Sequence, residues 1–163
     1  ATVTPRTIQG RPAWFRVFYS VRKTYPCWWH PLTHVFANVT PAEENKYELA
    51  PLCHMTERIA SICQLDWFTT EIALSHEGFV VVDYVNEVCD MRRKSLFENG
   101  APEAVVDAVA ALLAERVAAG GYVRVPARAP HGVATSSSTP ARYLLWASPC
   151  GASRSAPFRR ERS

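Results

Sequence analysis

The stretch from Asp66 to Asn86 constrains the fold more than any other part of this 163-residue chain. Its first half, Trp67 to Leu74, is rich in aromatic and β-branched residues, and its second half, Phe79 to Val85, is almost continuously apolar. The residues between them, Ser-His-Glu-Gly at 75–78, are typical of a tight turn. The pattern predicts a β-hairpin, and the apolar second strand predicts a position inside a sheet with both faces covered.

The predicted hairpin contains three polar residues that are unusual in a buried strand: Glu71, Asp83 and Asn86. Charged groups in a buried sheet cost several kcal/mol unless they are paired or bound to a cation. Two carboxylates and an amide oxygen suit a hard cation such as magnesium. Two interpretations remain open from the spacing: a magnesium site, or a Glu71 on a solvent face with Asp83 and Asn86 simply ending a strand.

The register of the hairpin decides whether these residues can act together. A four-residue turn with the strand ends in direct register would place Glu71 opposite Val82 and turn Asp83 to the other face. A loop one residue longer would place Glu71 opposite Asp83, with the two Cβ atoms about 5 Å apart. Asn86 lies three residues beyond Asp83, so only a bulge or the strand end would bring both to one face.

The string TTEIALSHEGFVVVDYVNEVCDMRRKS resembles the metal-binding end of the ATP-grasp superfamily. In those enzymes paired acids and an Asn hold the magnesium ions that bridge the phosphates of ATP. The resemblance implies that Glu71, Asp83 and Asn86 bind magnesium and, through it, ATP. The usual pattern, acid-x-Asn, would put the acid at Tyr84, whereas this chain has Asp83. A bulge that re-aims Asp83, or an oxygen from Asp90, would account for the departure.

Two arginines complete the predicted site. The string WFRVFYSVRKTYPCWW, with a strand from Trp14 to Tyr25, resembles the superfamily's strand pair whose Arg reaches the phosphates of the nucleotide or the acyl phosphate. Arg16 holds that position, and its planar fork can bind two phosphate oxygens; the alternative is a pairing with a nearby carboxylate. Arg92 opens a basic run that either meets an anionic ligand or forms a solvated loop.

The remaining pattern predicts an α+β fold with an antiparallel sheet, helices on one side of it and a disordered tail. A second short strand is split between 27–29 and 34–36, a helix is capped by Thr40, and further helices span about Leu52 to Cys63 and Pro102 to Ala119. We expect residues 1–13 to be an incomplete lead-in, 14–120 to be the C-terminal, metal- and phosphate-binding half of an ATP-grasp domain, and 121–163 to be disordered.

Composition narrows the function classes. Residues 1–120 carry 11 Lys and Arg against 14 Asp and Glu, whereas residues 121–163 carry seven Arg against one Glu. No apolar run is long enough to span a membrane, and five cysteines without a CxxC pair favour reduced thiols in the cytoplasm. A zinc site is the open alternative for some of the soft ligands. These are Cys27, His30, His34, Cys53, His54 and Cys63.

The resemblance implies an ATP-dependent carboxylate–amine or carboxylate–thiol ligase that acts through an acyl phosphate, with ATP and Mg²⁺ as cofactors and an unknown carboxylate as substrate. Arg16 and Arg92 would neutralise charge during phosphoryl transfer. We expect the chain to lack the N-terminal ATP-grasp subdomain and to be inactive alone. The alternative is a non-catalytic interaction protein, with a partner surface at Trp28 and Trp29 and a basic tail on nucleic acid; nucleic acid is the less favoured partner.

Overall fold

The computed structural model describes residues 3–86 and 88–124, which contain seven strands and three helices. The strands are β1 (Thr7–Ile8), β2 (Arg11–Pro12), β3 (Trp14–Ser20), β4 (Lys23–Trp29), β5 (Phe36–Asn38), β6 (Trp67–Ser75) and β7 (Gly78–Asn86). The helices are α1 (Pro41–Lys46), α2 (Ala50–Cys63) and α3 (Glu103–Ala118). No helix in this described part is long and apolar enough to cross a membrane.

The centre of the fold is an antiparallel sheet with the strand order β5-β4-β3-β6-β7. A separate two-stranded hairpin, β1 and β2, precedes it. The predicted α+β class with an antiparallel sheet is therefore confirmed.

The two long helices cover opposite faces of the sheet. Phe15 of β3 shares one buried cluster with Leu52 of α2, whereas Phe18 shares another with Val105 and Val109 of α3. The prediction that the helices lie on one side is wrong. Both faces of β3 carry large apolar side chains, because residues that alternate in sequence point to opposite faces. Each face therefore needs its own cover.

The strand predicted from Trp14 to Tyr25 is in fact two strands, β3 and β4, joined at Val21 and Arg22. Both turn residues have positive φ, 43° and 71°. A two-residue hairpin turn needs this conformation, which Asn and Gly adopt readily and a β-branched residue adopts at a cost. Neither Val nor Arg is a typical turn former, so the residue pattern did not predict this turn. Of the second strand, predicted in two pieces, residues 27–29 form the end of β4, and the piece at 34–36 corresponds to the start of β5.

The hairpin of β6 and β7 forms as predicted, but β7 is an edge strand. Phe79 and Val81 pack against the core on the α2 face, whereas Val82 and Tyr84 are 37% and 66% exposed. The prediction that this strand is covered on both faces is therefore wrong. Its apolar run combines core residues with residues that project outward from the edge.

The first and last described segments both pack onto the sheet. Arg6 donates its backbone N–H to the carbonyl of Leu74 (2.7 Å), and Ile8 belongs to the core cluster around Phe15. At the other end, Arg124 donates its backbone N–H to the Asp66 carboxylate (3.0 Å) and its side chain forms an ion pair there. The packed unit thus reaches Arg124, and the rest of the predicted tail lies outside the described residues.

The helix boundaries follow the predicted signals closely. Thr40 and Glu43 form the capping box at the start of α1, because the Glu43 N–H bonds the Thr40 hydroxyl (3.2 Å) and the Glu43 carboxylate accepts from the Thr40 N–H (2.9 Å). Helix α2 begins two residues earlier than predicted, at Ala50, and α3 matches within one residue at each end.

We predict that replacing the turn Val21-Arg22 by Asn-Gly stabilises the protein by about 1–2 kcal/mol, since it removes the cost of left-handed backbone at non-glycine residues. Urea unfolding of the parent and of V21N/R22G measures the change.

The matched control is the second hairpin, where His76 and Glu77 form the turn without positive φ. The same Asn-Gly pair placed there, H76N/E77G, relieves no strain and should not stabilise. Equal stabilisation at both turns would show that the Val21 backbone is not strained.

Candidate functional site

The candidate site depends on an irregular register between β6 and β7. Near the turn the strands are in direct register, with Leu74 opposite Phe79. The register then shifts twice, and each shift adds one residue to β7. The pairs that define it are Ile72 with Val81, Glu71 with Asp83, and Thr69 with Asn86. The direct register that would place Glu71 opposite Val82 is therefore not adopted, although the loop has no extra residue.

The two shifts bring all three predicted metal ligands to one face of the sheet. Thr69 and Glu71 are two residues apart on β6 and share a face. Their partners across the strand pair, Asn86 and Asp83, must then share that face as well. The Thr70 hydroxyl points the other way and donates to the carbonyl of Asp83 (2.6 Å), which fixes the irregular segment. The bulge therefore places Asp83 on the face of Glu71. A bulge was one of the two explanations offered for the departure of Asp83 from the acid-x-Asn pattern.

Arg16 lies directly beside this group, in the middle strand of the sheet. Its neighbours are Glu71 on β6 and Cys27 on β4. The Arg16 guanidinium forms an ion pair with Glu71, and both side chains are only 12% exposed. The Trp14 indole N–H lies 3.4 Å from the second Glu71 oxygen. Arg16 therefore pairs with a nearby carboxylate, which was the alternative to a phosphate-binding role. That carboxylate, Glu71, is itself a predicted metal ligand.

The Trp29 ring packs against the Arg16 guanidinium. The guanidinium carbon lies 4.5 Å from the centre of the indole, which is cation–π distance. The Arg16 Nε is buried and has no hydrogen-bond partner among the described residues. Trp28 and Trp29 are 2% and 8% exposed, so the predicted partner surface at these two residues is wrong. They are buried because they pack on opposite faces of the sheet.

Asn86 closes a local turn at the end of β7. Its side-chain oxygen accepts from the backbone N–H of Val88 (3.0 Å), and the Cys89 thiol lies 3.4 Å from its carbonyl. Burial raises the pKa of the Cys89 thiol to about 11, so it stays protonated at neutral pH. An amide oxygen has two lone pairs, so this turn leaves one for a cation.

Asp90 and Arg92 form a second ion pair at the border of the site. The Asp90 carboxylate accepts from the Arg92 guanidinium (2.7 Å) and from its backbone N–H (3.0 Å). The guanidinium hydrogen bond holds the pKa of Asp90 below its usual value, against the opposing effect of partial burial, and the charge of Arg16 adds to the lowering. The charge of Arg16 therefore reaches Asp90, whose carboxylate oxygens are bound by Arg92.

Gly100 fixes the loop that carries Arg92. A Cβ at this position would lie 2.5 Å from the backbone carbonyl group of Arg93, so only glycine fits. The backbone N–H of Ala101 donates to the carbonyl of Arg92 (2.7 Å), which closes the loop back on itself. Sequence reasoning placed a turn here but gave no sign of this close approach.

Two of the predicted metal ligands, Glu71 and Asp83, are directly opposite each other on β6 and β7. No described residue forms a hydrogen bond or ion pair with the Asp83 carboxylate, which faces Glu71 across the strand pair. Three or more His, Cys, Asp or Glu side chains do not converge anywhere within residues 3–86 and 88–124. Neither the candidate zinc ligands nor Asp90 with Glu71 and Asp83 form such a group there. The third ligand available is the amide of Asn86.

No family model matches this chain, and no curated protein and no solved structure matches it either.

We predict strong coupling between Arg16 and Glu71 in a double-mutant cycle of unfolding free energies. Removing one partner of a largely buried ion pair leaves an uncompensated charge, so Arg16→Met and Glu71→Met should each destabilise by about 3 kcal/mol. The double variant should recover about 1–3 kcal/mol of the summed loss.

The exposed pair of Arg93 and Asp107 is the matched control, with side-chain exposures of 41% and 62%. Its cycle with the same substitutions should give less than about 1 kcal/mol. Equal coupling in the two cycles would contradict a desolvated Arg16–Glu71 pair.

Proposed function

We propose that the sheet face of Glu71, Asp83 and Asn86 binds the magnesium-complexed phosphates of ATP. The chain would be the metal- and phosphate-binding part of an ATP-grasp carboxylate–amine or carboxylate–thiol ligase that acts through an acyl phosphate. The observation that supports this most is the double register shift in β7. Without it, the side chains of Asp83 and Asn86 could not both share a face with Glu71.

The electrostatics of the site also support a cation. Glu71 and Asp83 are directly opposite in neighbouring strands, a position in which two carboxylates destabilise each other. Arg16 neutralises one of them, and the other has no counter-charge among the described residues. Magnesium bound there would supply charge neutralisation of both carboxylates and of phosphate oxygens. Asn86 would add a neutral oxygen ligand, which suits a hard cation.

Arg16 would change partner when the site fills. A cation on Glu71 removes the attraction that holds the guanidinium, and its fork can then bind phosphate oxygens at nearly the same place. Stacking on Trp29 keeps it oriented in both states. Arg92, held by Asp90, would contribute further positive charge at the border of the site. The residues would thus act by positioning and charge stabilisation, and none needs to be a nucleophile.

We predict magnesium-dependent binding of ATP to residues 1–163. Calorimetric titration of ATP with magnesium should give saturable binding that chelation of the metal abolishes. The isosteric variant E71Q/D83N should lose this binding, because amides cannot neutralise the cation.

Glu77→Gln is the control, since Glu77 is an exposed acid at the tip of the same hairpin. It should bind as the parent does. Absence of binding in the parent, or binding that survives E71Q/D83N, would refute the proposed site.

A second prediction concerns opposite effects of one substitution. Arg16→Met should increase the affinity for Mn²⁺ alone, because Glu71 loses its competitor for the cation. The same variant should bind Mg-ATP more weakly than the parent, because the phosphates lose a bidentate donor, a loss of about tenfold or more.

Paramagnetic resonance of free Mn²⁺ measures the first effect and calorimetry measures the second. Arg22→Met, an exposed arginine in the β3–β4 turn, should change neither. A parallel loss of both affinities would mean that Arg16 only maintains the fold.

A further inference from the structure

The outer edge of β7 is open to solvent. None of its nine residues is buried, and Val82 and Tyr84 are 37% and 66% exposed. Apart from the ladder to β6, no described residue forms a backbone–backbone hydrogen bond with this strand. From Gly78 to Val82 the strand carries no charge and no proline. An edge of this kind is a template for pairing with another strand.

The opposite edge of the sheet is protected, in contrast to β7. β5 has only three residues, and Phe36 is 2% exposed. The Lys94 ammonium group donates a hydrogen bond to the Phe36 carbonyl. A short strand and a lysine at the edge are two of the features by which proteins prevent unwanted strand pairing. Of the two edges of this sheet, β7 is therefore the one that can accept a partner strand.

The hydrogen bonds of Leu74 show which backbone groups of β7 point outward. Leu74 donates its N–H to the carbonyl of Ala13 (2.9 Å), and its carbonyl accepts from the N–H of Arg6 (2.7 Å). Both backbone groups of Leu74 thus point away from β7. Leu74 and Phe79 are therefore a non-hydrogen-bonded pair, and the N–H and C=O of Phe79 point to the open edge. The same holds two residues further on, for Val81.

We propose that β7 pairs antiparallel with β7 of a second copy of this chain, about a two-fold axis that passes between the two Val80 residues. Phe79 then lies opposite the partner's Val81, and the outward N–H and C=O groups of both residues bond across the axis. Val80 lies opposite the partner's Val80 as a non-hydrogen-bonded pair. Because residues 78–82 carry no charge, this segment is complementary to itself, as a two-fold interface requires.

The paired segment ends where β7 becomes irregular. Both register shifts lie beyond Val81, so residues 78–81 keep the regular geometry that a partner strand needs. The nearest like charges are Glu77 and the partner's Asp83, beyond the ends of the segment, and Glu77 is exposed, so water screens their repulsion. A single strand pair buries less surface than a standard interface, so we expect a dissociation constant in the micromolar range. This pairing needs neither magnesium nor ATP and is independent of the function proposed above.

Sedimentation of the metal-free protein, from micromolar to near-millimolar concentration, tests the inference. We expect the mean mass to rise from that of one chain toward that of two. Larger species should not form, because the two-fold pair uses the open edge of both chains.

Engineered cysteines test the register. Val80→Cys in a C63S/C150S background should form an intermolecular disulfide with oxidised glutathione, because the Cα atoms of a non-hydrogen-bonded pair lie about 4.5 Å apart, within disulfide range. Val82→Cys is the matched control, since its two copies would lie about 13 Å apart along the strands, too far to bridge. The background alone measures disulfides from the remaining native thiols.

Two further variants test the hydrogen bonds across the axis. Val81→Pro removes an outward N–H without removing a ladder bond to β6, so dimerisation should weaken by about tenfold or more while the fold is retained. Leu32→Ser is the control, because Leu32 is 87% exposed and follows β4, toward the opposite edge of the sheet. It should dimerise as the parent does. Circular dichroism checks that both variants fold.

Three results would overturn the inference: a monomer at every concentration, equal disulfide yields for Val80→Cys and Val82→Cys, or equal weakening by Val81→Pro and Leu32→Ser. The disulfide comparison decides the matter even where Val81→Pro does not fold. Because no nucleotide or metal is present, failure here leaves the proposed ATP site untouched.

Discussion

The ion pair of Arg16 and Glu71 is the constraint on which the centre of this fold depends. It places opposite charges in neighbouring inner strands, where both side chains are almost removed from water. Either charge alone would cost several kcal/mol in that environment. Their pairing lets β3 and β6 pack on both faces and still carry a polar row. That row runs across the sheet through Asn38, Cys27, Arg16, Glu71 and Asp83.

The same pair leaves one negative charge of the polar row without a balancing positive charge among the described residues. Arg16 balances Glu71, but Asp83 comes next in the row with no counter-charge among the described residues. A divalent cation between the two carboxylates would complete the balance and would displace Arg16 toward any anion that arrives with the metal. A largely buried ion pair is weak evidence for a stabilising role, because desolvation of the two charges offsets much of their attraction. The charges are therefore easier to explain by ligand binding than by stability.

The sequence predicted the elements whose signals are local. The hairpin of β6 and β7, the Thr40 capping box and the span of α3 follow from side-chain pattern and cap chemistry within a few residues. It did not predict features set by long-range packing. The Val21 turn and the close backbone approach at Gly100 are imposed by their surroundings. The edge position of β7 depends on the strand order. The packing of α3 on the second face of the sheet depends on the direction in which that helix runs.

From the sequence, the register that would bring Glu71, Asp83 and Asn86 to one face was one of several alternatives. The edge position of β7 explains why the strand adopts that register. An inner strand pairs on both sides, so an extra residue would break two ladders, whereas an edge strand can accept one with a single neighbour disturbed. β7 accepts two, with Val82 and Tyr84 exposed beside Asp83. The shifts that give up regular pairing are the same shifts that bring Asp83 and Asn86 to one face. An edge strand thus provides what an inner strand could not: spacing that the alternation of a regular strand forbids.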